Sequence, residues 1–246
     1  MLGLWHTVAF ACQLINFLAI STLLFTDTDT GGWEHRWSSV SGYRSYSWHI
    51  MWLLPLFCLC ALLTHLWGAL GWWLRGCPRG AEYQEVEPEG SLLPWLEYSV
   101  SAGLMTWLLA VMCGQRDLGV LISLLLLNVL LQTYGFLLDR EEDPVRTGVL
   151  LLQSNLLFVA MWVVLFSAFY SSLDQSSGAV PSIVYAIVWF LFVLYCLFGV
   201  LPLLRWMGWL ESKTRYQKGF IVLSTVSKTS LVWMVWFGAV RDGAER

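Results

Sequence analysis

Seven apolar runs, at about 4–25, 48–73, 92–113, 117–138, 147–170, 182–204 and 219–240, constrain this chain more than anything else in it. Each has about the 20 residues that a helix needs to cross the roughly 30 Å hydrocarbon layer of a bilayer. Inside that layer every backbone N–H and C=O must be satisfied within the protein, and a helix does this by itself. The expectation is therefore an all-α membrane protein, a seven-transmembrane-helix bundle forming one domain over residues 1–246. Composition agrees: 57% of the residues are hydrophobic and 13% charged, against about 45–50% and about 25% in soluble domains. The net charge of −3 gives no sign of a nucleic-acid partner. Many of the 16 tryptophans fall near run ends, where an indole sits half in the headgroup layer. The N-terminus has neither a positive n-region nor a small-residue cleavage site, so the run from Leu4 reads as a retained helix and not a signal peptide.

The longest connection, 26–47, is rich in Gly, Ser, Thr and aromatics and suits a small hairpin. The segment 74–91, with Glu82, Glu85, Glu87 and Glu89 beside Arg75 and Arg79, reads as a solvated loop, and 139–146 as a short charged one. Lys and Arg are biased toward the side holding the N-terminus, where Arg75, Arg79, Arg140, Arg146, Arg205, Lys213, Arg215 and Lys218 stand against Arg36, Arg44, Arg116, Arg241 and Arg246 opposite. Eight against five places the N-terminus in the cytoplasm and the C-terminus outside the cell membrane. Cys12, Cys58, Cys60 and Cys196 lie inside runs and Cys113 at the end of one, as small packing residues. Cys77, just outside a run, reads as a free thiol within reach of acylation. No CxxC pair or His/Cys cluster suggests a metal.

Against this apolar background one residue stands out. Lys228 is the only lysine inside an apolar run, and a lysine near the bilayer midplane costs roughly 2.5–3.5 kcal/mol on insertion scales. Counted from about Gly219 it lies about 13 Å deep at about 1.5 Å per residue, too far to snorkel comfortably. Such an amine is paired, or it is condensed with a carbonyl ligand as a Schiff base. A plain structural salt bridge is the simpler alternative. Ser224, four residues earlier, shares its helix face.

Two other strongly ionisable groups lie well inside the runs: Glu97 in the third and His65 in the second. With the helices alternating in direction, both reach the inner half alongside Lys228, as do Gln13 and Asn16 of the first run. Groups from four helices converging at one depth suggest a polar cavity, since unpaired polar groups in hydrocarbon each cost several kcal/mol. Taken alone, His65 reads equally as a satisfied core histidine, and Gln13 and Asn16 read first as interhelical hydrogen-bond glue. A carboxylate beside a cation stays charged and lowers the cation's cost, which fits Glu97. Glu97, Ser101 and Met105 recur at four-residue spacing with Ala102 alongside, giving one helix side against which a bulky apolar ligand could lie. Phe192 and Tyr195 of the sixth run and Trp233 of the seventh add aromatic surface, although such stripes more often belong to a core.

The run from Leu96 to Met105 (Leu96-Glu97-Tyr98-Ser99-Val100-Ser101-Ala102-Gly103-Leu104-Met105) resembles the heliorhodopsin signature EYSxSAxxM at every specified position. Ser224 and Lys228 match the family's SxxxK on its retinal-binding helix, with Trp233 also in place. Pro181-Ser182-Ile183-Val184-Tyr185 followed by Phe192, Tyr195 and Phe198 is similar to the sixth helix, and His65 to the second-helix histidine. The resemblance covers essentially the whole chain. It implies all-trans retinal on Lys228 as a Schiff base, Glu97 as counterion, Ser224 as a hydrogen-bonding neighbour, and a homodimer. Three positions depart: the family's first-helix HxxQ is Gln13-Leu14-Ile15-Asn16 here, the arginine three residues before the counterion is Pro94, and the Asn-Gln pair ending the sixth helix is Leu201-Pro202. These bear on the cavity's hydrogen bonds and on the proton acceptor, not on the chromophore.

Three functions are open to such a chain. The first is a light sensor that signals to a cytoplasmic partner, in which a charge change beside Glu97 biases a helix rearrangement. The second is a light-driven pump or light-gated proton conductor, disfavoured because a pump needs a donor carboxylate about three turns beyond Glu97, where this chain has Leu108. The third is a membrane enzyme or scaffold; His6, His35, His49 and His65 have no recognisable ligand spacing for a zinc hydrolase, so no enzyme is expected.

Overall fold

The computed structural model describes residues 2–26, 34–38, 45–49, 53–74, 92–175 and 182–236. Seven helices run through them: α1 Leu2–Thr26, α2 Leu53–Leu74, α3 Leu93–Met112, α4 Leu118–Arg140, α5 Pro144–Gln175, α6 Ser182–Trp206 and α7 Lys213–Val235. Each packs against the next in sequence and α7 returns to α1, so the bundle closes on itself with α3 also touching α5. The expected hairpin is present as β1 Glu34–Ser38 and β2 Ser45–His49, antiparallel with Glu34 opposite His49 and Ser38 opposite Ser45. Cys77 and nearly all of the 74–91 loop fall outside the described residues.

Helix ends follow local chemistry. Asp117 caps α4 by accepting from the Val120 N–H at 3.0 Å, and Ser212 caps α7 by accepting from the Arg215 N–H at 3.4 Å. Both satisfy a backbone donor that the first turn leaves orphaned. The turn from α3 to α4 uses Gly114 at φ +81, where a Cβ would run into Ser172 Oγ; that hydroxyl donates to the Cys113 carbonyl at 2.6 Å.

Six of the helices, α1 to α6, are long and apolar enough to cross a membrane. The exposed residues on α4, α5 and α6 are largely Leu, Val, Trp and Phe, among them Leu126, Leu130, Leu152, Leu156, Val163 and Phe190. That suits hydrocarbon and not water. At the end of the bundle where α1 begins and α2 and α6 finish, Trp5, Trp73, Trp206 and Trp209 are exposed together, as an interfacial belt would be. The chain is an integral, multi-pass membrane protein.

Helix α7 is the exception in composition, and its boundary differs from the apolar run. It begins at Lys213, six residues before the run at 219, because the Ser212 cap starts a helix whose first turns carry Lys213, Arg215 and Lys218. Hydropathy places the start of apolar character, whereas the cap places the start of the helix.

The core lies chiefly between α2, α3, α5, α6 and α7, with Leu121 and Leu124 of α4 and Ile20 of α1 joining it. At the amino-terminal end of the bundle Arg205 of α6 bonds Asp139 of α4 at 3.1 Å, and its guanidinium stands 4.9 Å from the ring centre of Tyr216 on α7. One side chain thereby ties three helices together.

Candidate functional site

The buried face of α7 carries Ile221, Ser224, Ser227, Lys228, Leu231, Val232 and Val235. Lys228 therefore points into the protein, not toward lipid, and an amine there needs partners. It donates to Glu97 Oε1 at 2.7 Å and to Ser224 Oγ at 2.8 Å. The side chains of Lys228 and Glu97 are each 3% exposed. The Tyr98 ring lies 5.4 Å from the amine, adding a cation–π contact.

Glu97 reaches this position from the second turn of α3, where it is followed on the buried face by Tyr98, Ser101 and Met105. Glu97 uses one oxygen on Lys228. Its Oε2 and the Ser101 hydroxyl are buried without a hydrogen-bond partner.

Beside the pair lies a cavity of about 340 Å³, within the range of small-molecule sites. Its walls come from α3, α4, α5, α6 and α7, and the residues expected to face a ligand divide across it. Lys228, Ser224, Ser101, Met105 and Tyr195 line it, with Tyr98, Phe158 and Phe198 adding aromatic wall. Phe192 and Trp233 do not. The Phe192 ring is taken up by Phe158, Trp162, Phe166 and Trp189, with centroids 5.0–6.2 Å away. Trp233 turns its indole N–H to Asn16 Oδ1 at 3.1 Å.

His65, Gln13 and Asn16 are all buried but lie on the α1–α2 side and form no part of the cavity wall. Asn16 acts as glue: its amide donates to Thr229 Oγ1 at 2.8 Å, fastening α1 to the residue beside Lys228. Both amide atoms of Gln13 are buried without a hydrogen-bond partner. His65 faces His6, with the two Nδ1 atoms 3.1 Å apart.

His6 is the residue that sequence reasoning passed over. The signal was available: Gly3, His6, Ala9, Gln13, Asn16 and Ile20 are all buried and recur at three- and four-residue steps along α1. Extending the Gln13–Asn16 face two turns back reaches His6. On α2 the residue opposite is Gly68, where a Cβ would lie 2.8 Å from His6 Cγ; a glycine is what lets the imidazole approach that helix.

Solved structures share this fold. The chain is similar to cyanorhodopsin N4075R from Tolypothrix sp. NIES-4075 (TM-score 0.75, 13% identity, 99% of this chain and 96% of that one). It is likewise similar to the light-driven proton pump of Coccomyxa subellipsoidea (TM-score 0.72, 14% identity, 96% of each chain) and to xanthorhodopsin, a light-driven ion pump with dual chromophore (TM-score 0.75, 12% identity, 99% of this chain and 94% of that one). At such identities the likeness is one of fold. No curated protein sequence matches the chain. The sequence profile of one family does, over residues 44–240, a span that includes the hairpin strand β2, the Glu97 helix and the Lys228 helix. The chain belongs to the heliorhodopsin family and is a retinal-type, light-responsive membrane protein.

Proposed function

We propose that this protein is a light sensor that holds all-trans retinal as a Schiff base on Lys228, with Glu97 as counterion, and that it signals instead of pumping. One observation carries the reading: a buried amine, bonded to a buried carboxylate at 2.7 Å, forms part of the wall of a largely apolar cavity. The residues fit the group, since an amine, a counter-charge, the orphaned Ser101 hydroxyl and an aromatic wall occur together. When bound, retinal supplies visible absorption and isomerisation.

The chain's own groups then have definable tasks. As an amine Lys228 has three N–H donors; as a protonated Schiff base it has one. Of its present bonds to Glu97 and Ser224, only one can then persist at full strength. The carboxylate is favoured, because charge-assisted hydrogen bonds are roughly twice as strong as neutral ones. Ser224 is left to tune the site. Ser224→Ala is therefore expected to move the absorption maximum far less than a change at Glu97; a shift as large as that of Glu97→Gln would contradict the assignment.

His65 and His6 are the proposed resting place for a proton leaving Lys228. Two buried imidazoles 3.1 Å apart can hold one added proton between them. The altered charge around Glu97 would then favour one helix arrangement over another, as a switch requires.

Pumping is disfavoured by what lies on the far side of the Schiff base, where a pump needs a proton donor. Leu108, three turns beyond Glu97, is fully buried. Among the described helical residues the remaining carboxylates, Asp139 and Asp174, sit within two residues of helix ends. Under voltage clamp, illumination is expected to give no steady current at zero voltage; a sustained outward current would overturn the sensor reading in favour of a pump. The cytoplasmic N-terminus follows from the Lys and Arg bias, and the homodimer and the cytoplasmic signalling partner rest on the family resemblance.

A further inference from the structure

The cavity beside Lys228 is polar where a hydrocarbon ligand would want it apolar. Away from α7 its wall carries Gln132 of α4 and Ser154 and Asn155 of α5. Gln132 lies eight residues before the end of α4 and Asn155 eleven after the start of α5, roughly 12 and 16 Å along their helices. Side chains this short do not reach an interface from there. Asn155, Gly199, Val200 and Leu203 are exposed while lining the cavity, so this end opens between α5 and α6 toward hydrocarbon, which offers no hydrogen bonds.

Their hydrogen-bonding state says what is missing. The Ser154 hydroxyl donates to the Leu151 carbonyl at 2.9 Å and the Asn155 amide donates to the same carbonyl at 2.7 Å. Ser154 Oγ and Asn155 Oδ1 are thus left as acceptors and the second N–H of the Asn155 amide as a donor. A Cβ added to Gly199 would stand 3.9 Å from Asn155 Oδ1, so the small α6 residue leaves space beside that oxygen. What complements such a set at the mouth of a hydrocarbon-lined cavity is a hydroxyl, which donates once and also accepts, on an otherwise apolar molecule.

We infer that the α4–α5 end of the cavity recognises a hydroxyl group, and that this chain selects a ring-hydroxylated retinal over the unsubstituted one. The inference rests on the retinal reading: with the aldehyde carbon joined to Lys228 on α7, the ring is the part of the molecule that falls toward α4 and α5. Unsubstituted retinal still binds, because Lys228, Glu97 and the aromatic wall are the same for both. The hydroxyl adds a hydrogen bond to Asn155, Ser154 or Gln132.

The test is competition. Apoprotein purified from retinal-free cells is given equal amounts of all-trans retinal and its ring-hydroxylated counterpart. The bound aldehydes are then extracted and quantified, and the visible band is recorded. One added hydrogen bond predicts an enrichment of the hydroxylated form of about three- to tenfold. Gln132→Leu/Asn155→Leu, which places apolar side chains on a lipid-facing mouth and leaves Lys228 and Glu97 untouched, is expected to form pigment with either aldehyde and to bring the enrichment to near one; adding Ser154→Ala removes any remainder. Equal uptake by the native protein would overturn the inference, as would an enrichment that survives in the triple variant, while the visible band in either case leaves the retinal reading standing. No band with either aldehyde would overturn both.

Discussion

Glu97→Gln is expected either to move the visible band to longer wavelength or to replace it with a near-ultraviolet band at neutral pH. The carboxylate lies 2.7 Å from the Lys228 nitrogen and both side chains are 3% exposed, so neither water nor salt screens the pair. Removing one member of a buried ion pair typically costs about 3–5 kcal/mol, because the other is left uncompensated. Ser224 and the Tyr98 ring remain beside the nitrogen, but a neutral hydroxyl and a ring quadrupole together offset only part of such a loss. If the nitrogen keeps its proton, loss of the counter-charge raises the ground state, whose positive charge sits at the nitrogen, more than the excited state, in which that charge spreads along the polyene, and the band moves red. If the proton leaves, the visible band vanishes. An unchanged spectrum would show that Glu97 is not the counterion.

Lys228→Ala is expected to have the largest effect of all, complete loss of colour with all-trans retinal present. The substitution also strands Glu97 in the interior, where an isolated carboxylate is destabilising, so poor folding of the single variant would mimic loss of binding. The double variant Lys228→Ala/Glu97→Gln removes both charges. Replacing a buried pair by neutral groups is often close to neutral for stability, so the double variant is expected to regain a native-like thermal midpoint and stay colourless. A visible band in that folded double variant would contradict the assignment.

Much of this was legible in the sequence, for reasons that differ by residue. The seven helices were readable because a bilayer core demands apolar runs of about 20 residues, although only α1 to α6 are long and apolar enough to cross a membrane. The Lys228–Glu97 pair was readable because a charge at membrane depth needs an opposite charge, and few were on offer. The start of α7 was not, since Lys213, Arg215 and Lys218 lower its hydropathy without breaking the helix. Phe192 and Trp233 show a second limit. Their positions along α6 and α7 were right for a ligand wall, yet Phe192 is drawn into a cluster with Trp162 and Phe166, and Trp233 into a hydrogen bond with Asn16. Competition between neighbours decides such packing, and one helix's spacing does not contain it. His6 was overlooked for the opposite reason: its periodicity was present, but its partner is 59 residues away and its place depends on Gly68 of another helix.

The chain has three lysines, Lys213, Lys218 and Lys228, all on α7. That makes one measurement decisive for the central claim: reduction of the retinal-loaded protein with borohydride, followed by mass mapping of the α7 peptides. The account predicts a retinyl adduct on Lys228 and none on Lys213 or Lys218, which lie in the first turns of the helix, ahead of its apolar run. An adduct confined to Lys213 or Lys218, or a coloured protein with no adduct on any lysine, would contradict it.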